Sequence, residues 1–139
     1  MVVVTCAIIE KDGKILLARR APGKSLGGKW EFPGGKVKNG ESPEECLKRE
    51  LEEEFGIRTR VGKFITSNKH DYSHIAIDLV AFQTEYLSGD YILKDHDKIE
   101  WIKPDCLLNF DLAEADIPIA REVVDHARYN PRSRRRQGI

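Results

Sequence analysis

The chain has 139 residues with 23 basic and 23 acidic side chains, so its formal net charge is zero. That length supports one hydrophobic core, burying about two thirds of the unfolded chain's surface, and leaves no room for a second domain. Balanced charge argues against a protein built to coat nucleic acid. The apolar runs Val2–Val4 and Ile75–Ala81 fall far short of the roughly 18 residues of a membrane span, so no stable nucleic-acid complex and no membrane association are expected.

The N-terminal MVVVTCAIIEKDGK has neither a basic leader region nor a small-residue cleavage end, which makes the cytoplasm the expected compartment. VVVTCAII and KILLARR flank Lys11-Asp12-Gly13, a hairpin signal, and the second strand ends at Arg19-Arg20. A Gly34-Gly35 loop follows. Ser42 as N-cap, Pro43 at the first helical position and Glu45 three residues after the serine start a helix at about residue 43. Leu47, Leu51 and Phe55 form its apolar stripe, and Gly56 stops it. Residues 57–67 and 74–86 read as strands, the second with Ile75, Ile77, Leu79 and Ala81 on one face. A turn at Ser88-Gly89-Asp90, a strand over 99–102 and a helix over 117–129 carrying Ile119, Val123, Val124 and Ala127 complete an α/β outline, a mixed sheet between helices. Residues 1–129 therefore form the domain. The tail 130–139, NPRSRRRQGI, has four arginines in ten residues and no apolar periodicity, and is expected to be disordered, or else a weak nucleic-acid contact.

Cys6, Cys46 and Cys106 show no CxxC spacing and read as reduced thiols. His70, His74, His96 and His126 lack metal-ligand spacing and read as surface or loop residues. The acids are more informative. On a helix Glu53 lies about 60° behind Glu50 and Glu54 about 40° ahead of it, so three carboxylates crowd one stripe. Such neighbours repel by roughly 0.2–0.5 kcal/mol per pair, and a hard divalent cation, Mg²⁺ or Mn²⁺, converts the repulsion into coordination.

The same residues satisfy G-x5-E-x7-R-E-U-x-E-E-x-G-U, with U a bulky aliphatic, at Gly35, Glu41, Arg49, Glu50, Leu51, Glu53, Glu54, Gly56 and Ile57. This resembles the Nudix box of metal-dependent hydrolases that cut a diphosphate linked to another moiety. The resemblance implies an α/β/α sandwich, Mg²⁺ with Mn²⁺ as a possible substitute, and metal held by Glu50, Glu53, Glu54 and the carbonyl of Gly35. It also implies that Arg49 pairs with Glu41 as scaffolding for the site. GKWEFPGGKV, Arg19-Arg20 and AEADIPIA extend the likeness to the MutT-like nucleoside triphosphate pyrophosphohydrolases, most closely the branch called CTP pyrophosphohydrolases. Members of that group convert (d)NTP, often with damaged or modified bases, to the monophosphate and pyrophosphate. By this resemblance the partner is a nucleotide, the state a monomer or homodimer, and Asp95, aligned on Trp101, is a further metal ligand. Asp97 is its neighbouring candidate. Asp116 matches the base-recognising position, or is simply an N-cap. Phe32 is a stacking surface for the base, or core. Arg20 holds phosphate or a base edge, or is a solvated strand-end arginine. Lys36 neutralises phosphate, or is a solvated loop cation. Glu50 and an acid of the 95–97 loop both stand as general base. Other diphosphate substrates, such as dinucleoside polyphosphates, and a non-catalytic nucleotide-binding module are the alternatives. Tyr72 holds the place of a proline usual in ADP-ribose enzymes, and the module reading sits poorly with a full set of box glutamates.

Overall fold

The computed structural model describes residues 1–129. Strands β1 (Val2–Lys11) and β2 (Lys14–Arg20) form the expected hairpin, with Asp12 (φ 52°) and Gly13 (φ 76°) both left-handed at the turn. That is the backbone a two-residue hairpin with right-handed strand twist requires. The pair stays together only at Glu10↔Ile15 and Lys11↔Lys14, after which each strand takes other partners. β1 runs parallel to β6 (Ile75–Ser88) and antiparallel to the short β4 (Gly34–Lys36). β2 runs antiparallel to β3 (Trp30–Glu31) and β7 (His96–Ile102). β5 (Arg58–Tyr72) lies outside β6, giving the order β3-β2-β1-β6-β5 in a mixed seven-stranded sheet.

Alternation along the central strands builds two cores. Cys6, Ile8, Ile15 and Leu17 face one side with Ile77, Leu79 and Ala81, and meet Ile119, Ala120, Val123 and Val124 of helix α2 (Asp116–Tyr129). Ala7, Ile9, Leu16 and Ala18 face the other and meet Leu47, Leu51 and Phe55 of helix α1 (Pro43–Phe55). Strands buried on both faces and helices on opposite sides make the α/β/α sandwich. Each fully buried leucine of this kind contributes about 1.5–3 kcal/mol. Ser42 caps α1 through a complete capping box, and Gly56 (φ 65°) ends it in the left-handed conformation.

Several boundaries move. β5 continues to Tyr72 rather than ending near 67, because β6 keeps pairing it across register shifts between Val61 and Phe64 and between Phe64 and Thr66. β7 begins at His96, three residues before the expected start, because β2 supplies its ladder. The short β3 and β4 and a 3-10 turn at Pro104–Asn109 carry no sequence pattern of their own. The expectation of a disordered tail falls outside the described residues. Cys6 and Cys46 are buried free thiols and Cys106 an exposed one. No described helix is long and apolar enough to cross a membrane.

Candidate active site

Helix α1 presents its acids beside the stripe that packs on the sheet. Arg49 organises them. Its Nε and Nη2 make a fork onto Glu41 at 2.6 and 2.9 Å, while Nη1 reaches Glu50 Oε1 at 2.9 Å and Glu53 Oε2 at 3.0 Å. The guanidinium holds the Glu41 carboxyl down at about 2, and its own proton is held more firmly than usual by the same partners. Nη2 also donates to the Lys36 carbonyl at 3.3 Å, tying the glycine loop to the helix.

Glu54 turns the other way, toward Asp95. Burial and this second carboxyl raise the pKa of Glu54. Asp95 is held below the ordinary range by Lys24, 3.3 Å away, and by Glu54. Glu54 Oε2 is buried without a hydrogen-bond partner. Gly35 sits directly against the Glu50 carboxylate, and a Cβ there would overlap it. Its carbonyl accepts from Thr5 Oγ1 at 3.2 Å and Cys46 Sγ at 3.5 Å.

As arranged, no group of three or more His, Cys, Asp or Glu side chains among the described residues is positioned to hold a metal ion. The expected convergence of Glu50, Glu53, Glu54 and Asp95 is therefore not present in this conformation. The physical reason is that Arg49 and Lys24 supply the positive charge, and each draws carboxylates to itself. The donor set nevertheless fits a hard divalent cation. All its members are oxygens, one of them lacks any partner, and two of the acids lie in the last turn of α1, which carries no basic residue against its negative end.

A cavity of about 320 Å³ runs from Gly34, Gly35 and Lys36, where Gly35 lies against Glu50, past Val4 and Thr5 to Tyr72, Ala115 and Asp116. Asp116 is 5% exposed and heads α2, but its Oδ2 accepts from the Phe32 backbone N–H at 2.9 Å, across 84 positions of sequence. That long-range bond is not a cap on its own helix. Burial, then the neighbouring Glu31, push its carboxyl well above the ordinary range, against the opposing effect of the Phe32 N–H. Of the two readings of Phe32, its 2% exposure places it in the core, where it also lines the cavity. Arg20 is not solvated but half-buried, donating to Glu31 Oε2 at 3.3 Å and to the Ser25 carbonyl at 2.6 Å. Lys36 lines the same cavity with an exposed side chain. Asp97 pairs with Arg19 at 2.9 Å, away from the acid stripe.

Two residues of the site escaped sequence reasoning. His96, expected in a loop, is 6% exposed. Its ring lies 4.8 Å from that of Phe55 at the end of α1, and its Nε2 lies 2.8 Å from Glu31 Oε2. Glu31 thereby joins Arg20, His96 and the Asp116 neighbourhood. Its one signal was its place between Trp30 and Phe32, a carboxylate held among core aromatics.

A NUDIX domain model matches residues 1–125. The CTP pyrophosphohydrolase of Escherichia coli K12 is 42% identical over 119 residues, covering 86% of this chain and 88% of that protein. An 8-oxo-dGTP diphosphatase of Proteus vulgaris is 39% identical over 75 residues, 54% of this chain and 67% of the relative. The solution structure of the E. coli ORF135 protein superposes with a TM-score of 0.84 at 38% identity, covering 94% of each chain. With the acid helix and its arginine in place and the match running through almost the whole domain, the chain belongs to the NUDIX family.

Proposed function

We propose that the protein is a Mg²⁺-dependent nucleoside triphosphate pyrophosphohydrolase that converts cytidine or modified (d)NTPs to the monophosphate and pyrophosphate, a nucleotide-pool enzyme of the cytoplasm. The observation that carries this reading is a continuous cavity that joins the Gly34-Gly35-Lys36 loop, whose Gly35 lies against Glu50, to the buried carboxyl of Asp116. The names of the two relatives, a CTP pyrophosphohydrolase and an 8-oxo-dGTP diphosphatase, point the same way.

The chain's own groups divide the work. Glu50, Glu53, Glu54 and Asp95 would hold the cation, which supplies charge neutralisation at the phosphoryl oxygens and a more acidic water. Gly35 keeps the loop within reach of Glu50, since any side chain there would displace the carboxylate. Lys36 offers its ammonium to phosphate at the cavity wall. Glu50, or Asp95 across from Glu54, takes the proton of the attacking water.

At the far end Asp116 uses Oδ2 for the Phe32 N–H and leaves Oδ1 for a ligand. In the neutral acid Oδ1 carries the proton and can donate to the ring nitrogen of cytosine. In the carboxylate Oδ1 can only accept, which suits a donor edge such as that of guanine. The raised pKa of Asp116 favours the neutral form, and with it the cytosine edge.

The test is a panel of ribo- and deoxynucleoside triphosphates, 5-methyl and 8-oxo derivatives and dinucleoside polyphosphates, assayed with Mg²⁺ and with products identified after reaction in ¹⁸O-labelled water. Monophosphate and labelled pyrophosphate are expected, from attack at the β-phosphorus. Preferential cleavage of a dinucleoside polyphosphate would overturn the reading.

A further inference from the structure

Residues 21–29 double back between β2 and β3, with Gly23 (φ 85°), Leu26 (φ 57°) and Gly28 (φ 84°) in the left-handed region. Ser25 and Leu26 of this loop line the nucleotide cavity. The residue before them, Lys24, points to the other side of the site, its Nζ 3.3 Å from Asp95 Oδ1. Asp95 is in turn the partner of Glu54. Lys24 therefore stands between Asp95 and the loop residues that line the cavity.

The loop does not depend on this ion pair. Ala21 N–H donates to the Asp95 carbonyl at 3.0 Å, Gly28 N–H to the Arg20 carbonyl at 2.8 Å, Gly27 N–H to the Lys24 carbonyl at 3.0 Å, and Lys29 N–H to the Leu26 carbonyl at 3.0 Å. Arg20 Nε adds a bond to the Ser25 carbonyl at 2.6 Å. Backbone bonds set both the loop and its distance from Asp95, so the ammonium is spare as scaffolding. Half of the Lys24 side chain is exposed, 51%, which makes the pair cheap to break.

We propose that Lys24 is a positioning residue with two successive partners: Asp95 while no divalent cation is bound, and a substrate phosphate once a cation has taken Asp95. The second half rests on the nucleotide reading above. A carboxylate oxygen that coordinates a divalent cation cannot also hold an ammonium at full strength, so cation binding frees Lys24. Its four-carbon stem then lets the ammonium swing toward the cavity that its neighbour Ser25 already lines, where the triphosphate brings several negative charges. In this way the loop responds to the loaded acid stripe by adding one phosphate contact.

Lys24→Met keeps the stem and removes the charge, and Lys24→Arg keeps the charge. Mn²⁺ is titrated into each purified full-length protein without nucleotide and free Mn²⁺ read by electron paramagnetic resonance. A non-hydrolysable α,β-methylene CTP analogue is titrated calorimetrically in Mg²⁺. Lys24→Met is expected to bind Mn²⁺ about two- to fivefold more tightly, having lost a competitor worth an exposed ion pair. It should bind the analogue about tenfold more weakly, having lost a charge-assisted phosphate contact. Lys24→Arg should restore both, and the melting temperature should not move. Opposite signs in the two titrations are what a merely structural lysine cannot produce. Unchanged or weaker Mn²⁺ binding by Lys24→Met, or unchanged analogue binding, overturns the proposal. Should the wild-type protein turn over no nucleoside triphosphate, the proposed function falls, while the Mn²⁺ titration still decides the competition for Asp95.

Discussion

Replacing Asp116 by asparagine isolates the chemistry of one buried carboxyl. The amide is close in size, keeps an oxygen for the Phe32 N–H now accepted at 2.9 Å, and brings a permanent donor in place of a proton that comes and goes. It thus imitates the neutral acid and cannot imitate the carboxylate. Recognition of a cytosine edge should survive. Recognition of a guanine edge, which needs an acceptor in the place of Oδ1, loses one matched contact at a site 5% exposed. Such a loss costs about 1–3 kcal/mol, or roughly five- to 150-fold in kcat/KM. The assay is kcat/KM for dCTP, 5-methyl-dCTP, dGTP and 8-oxo-dGTP on both proteins, with the ratio of cytosine to guanine substrates expected to rise by that factor. Stability gives an independent readout. The pKa of Asp116 is raised in the fold, so its contribution is fully present below the unfolded value near 3.8 and is lost as pH rises toward the folded value. Asparagine has no proton to lose, so the melting temperature of Asp116→Asn should exceed that of the wild type at neutral pH, with the gap closing toward pH 4. An unchanged ratio of cytosine to guanine substrates would refute the base-recognition role, and a variant less stable at pH 7 would refute the electrostatic account.

Three further outcomes are expected. The Glu53→Gln, Glu54→Gln double variant should lose turnover by at least about a hundredfold at unchanged far-ultraviolet circular dichroism, since both side chains lie outside the apolar stripe of α1, and undiminished hydrolysis would remove the acid helix from the mechanism. Arg49→Gln should lower the melting temperature by several degrees at neutral pH. Because Glu41 is held at about 2, that difference should shrink as pH falls from about 4.5 toward 2, when the protonated acid no longer needs its partner. Gly34→Ala and Gly35→Ala should part company: a Cβ at Gly34 meets the Thr5 backbone, which cannot yield, whereas at Gly35 it meets the end of the Glu50 side chain, which can. The first should express poorly or melt far lower, and the second should fold yet hydrolyse slowly.

Helix α1 was legible because everything that makes it is local: a capping serine, a proline at the first position, apolar residues at helical spacing and a terminal glycine. The hairpin at Asp12-Gly13 was legible for the same reason. What sequence could not carry was decided by partners far along the chain. β3 and β4 are two and three residues long and exist only through β2 and β1. The last five residues of β5, NKHDY, are too polar to advertise a strand and are held by β6. His96 looked like a loop histidine because neither Phe55 nor Glu31 is near it in sequence, and Glu31 looked unremarkable until Arg20, His96 and Asp116 gathered around it. The box acids were named from their spacing alone, but that Arg49 draws Glu50 and Glu53 together while Glu54 turns to Asp95 is a matter of three-dimensional charge balance.

The two helices rest on different cores, α1 on the layer of Ala7, Ile9, Leu16 and Ala18, α2 on the opposite layer of Cys6, Ile8, Ile15 and Leu17. The strand between them insulates one from the other, because neighbouring residues send their side chains to opposite faces. A lineage can therefore drift at Ala113, Ala115 and Asp116, reshaping the cavity wall, while the layer beneath the acids of α1 stays as it was. Divergence of substrate choice from a constant reaction is open to this architecture one face at a time.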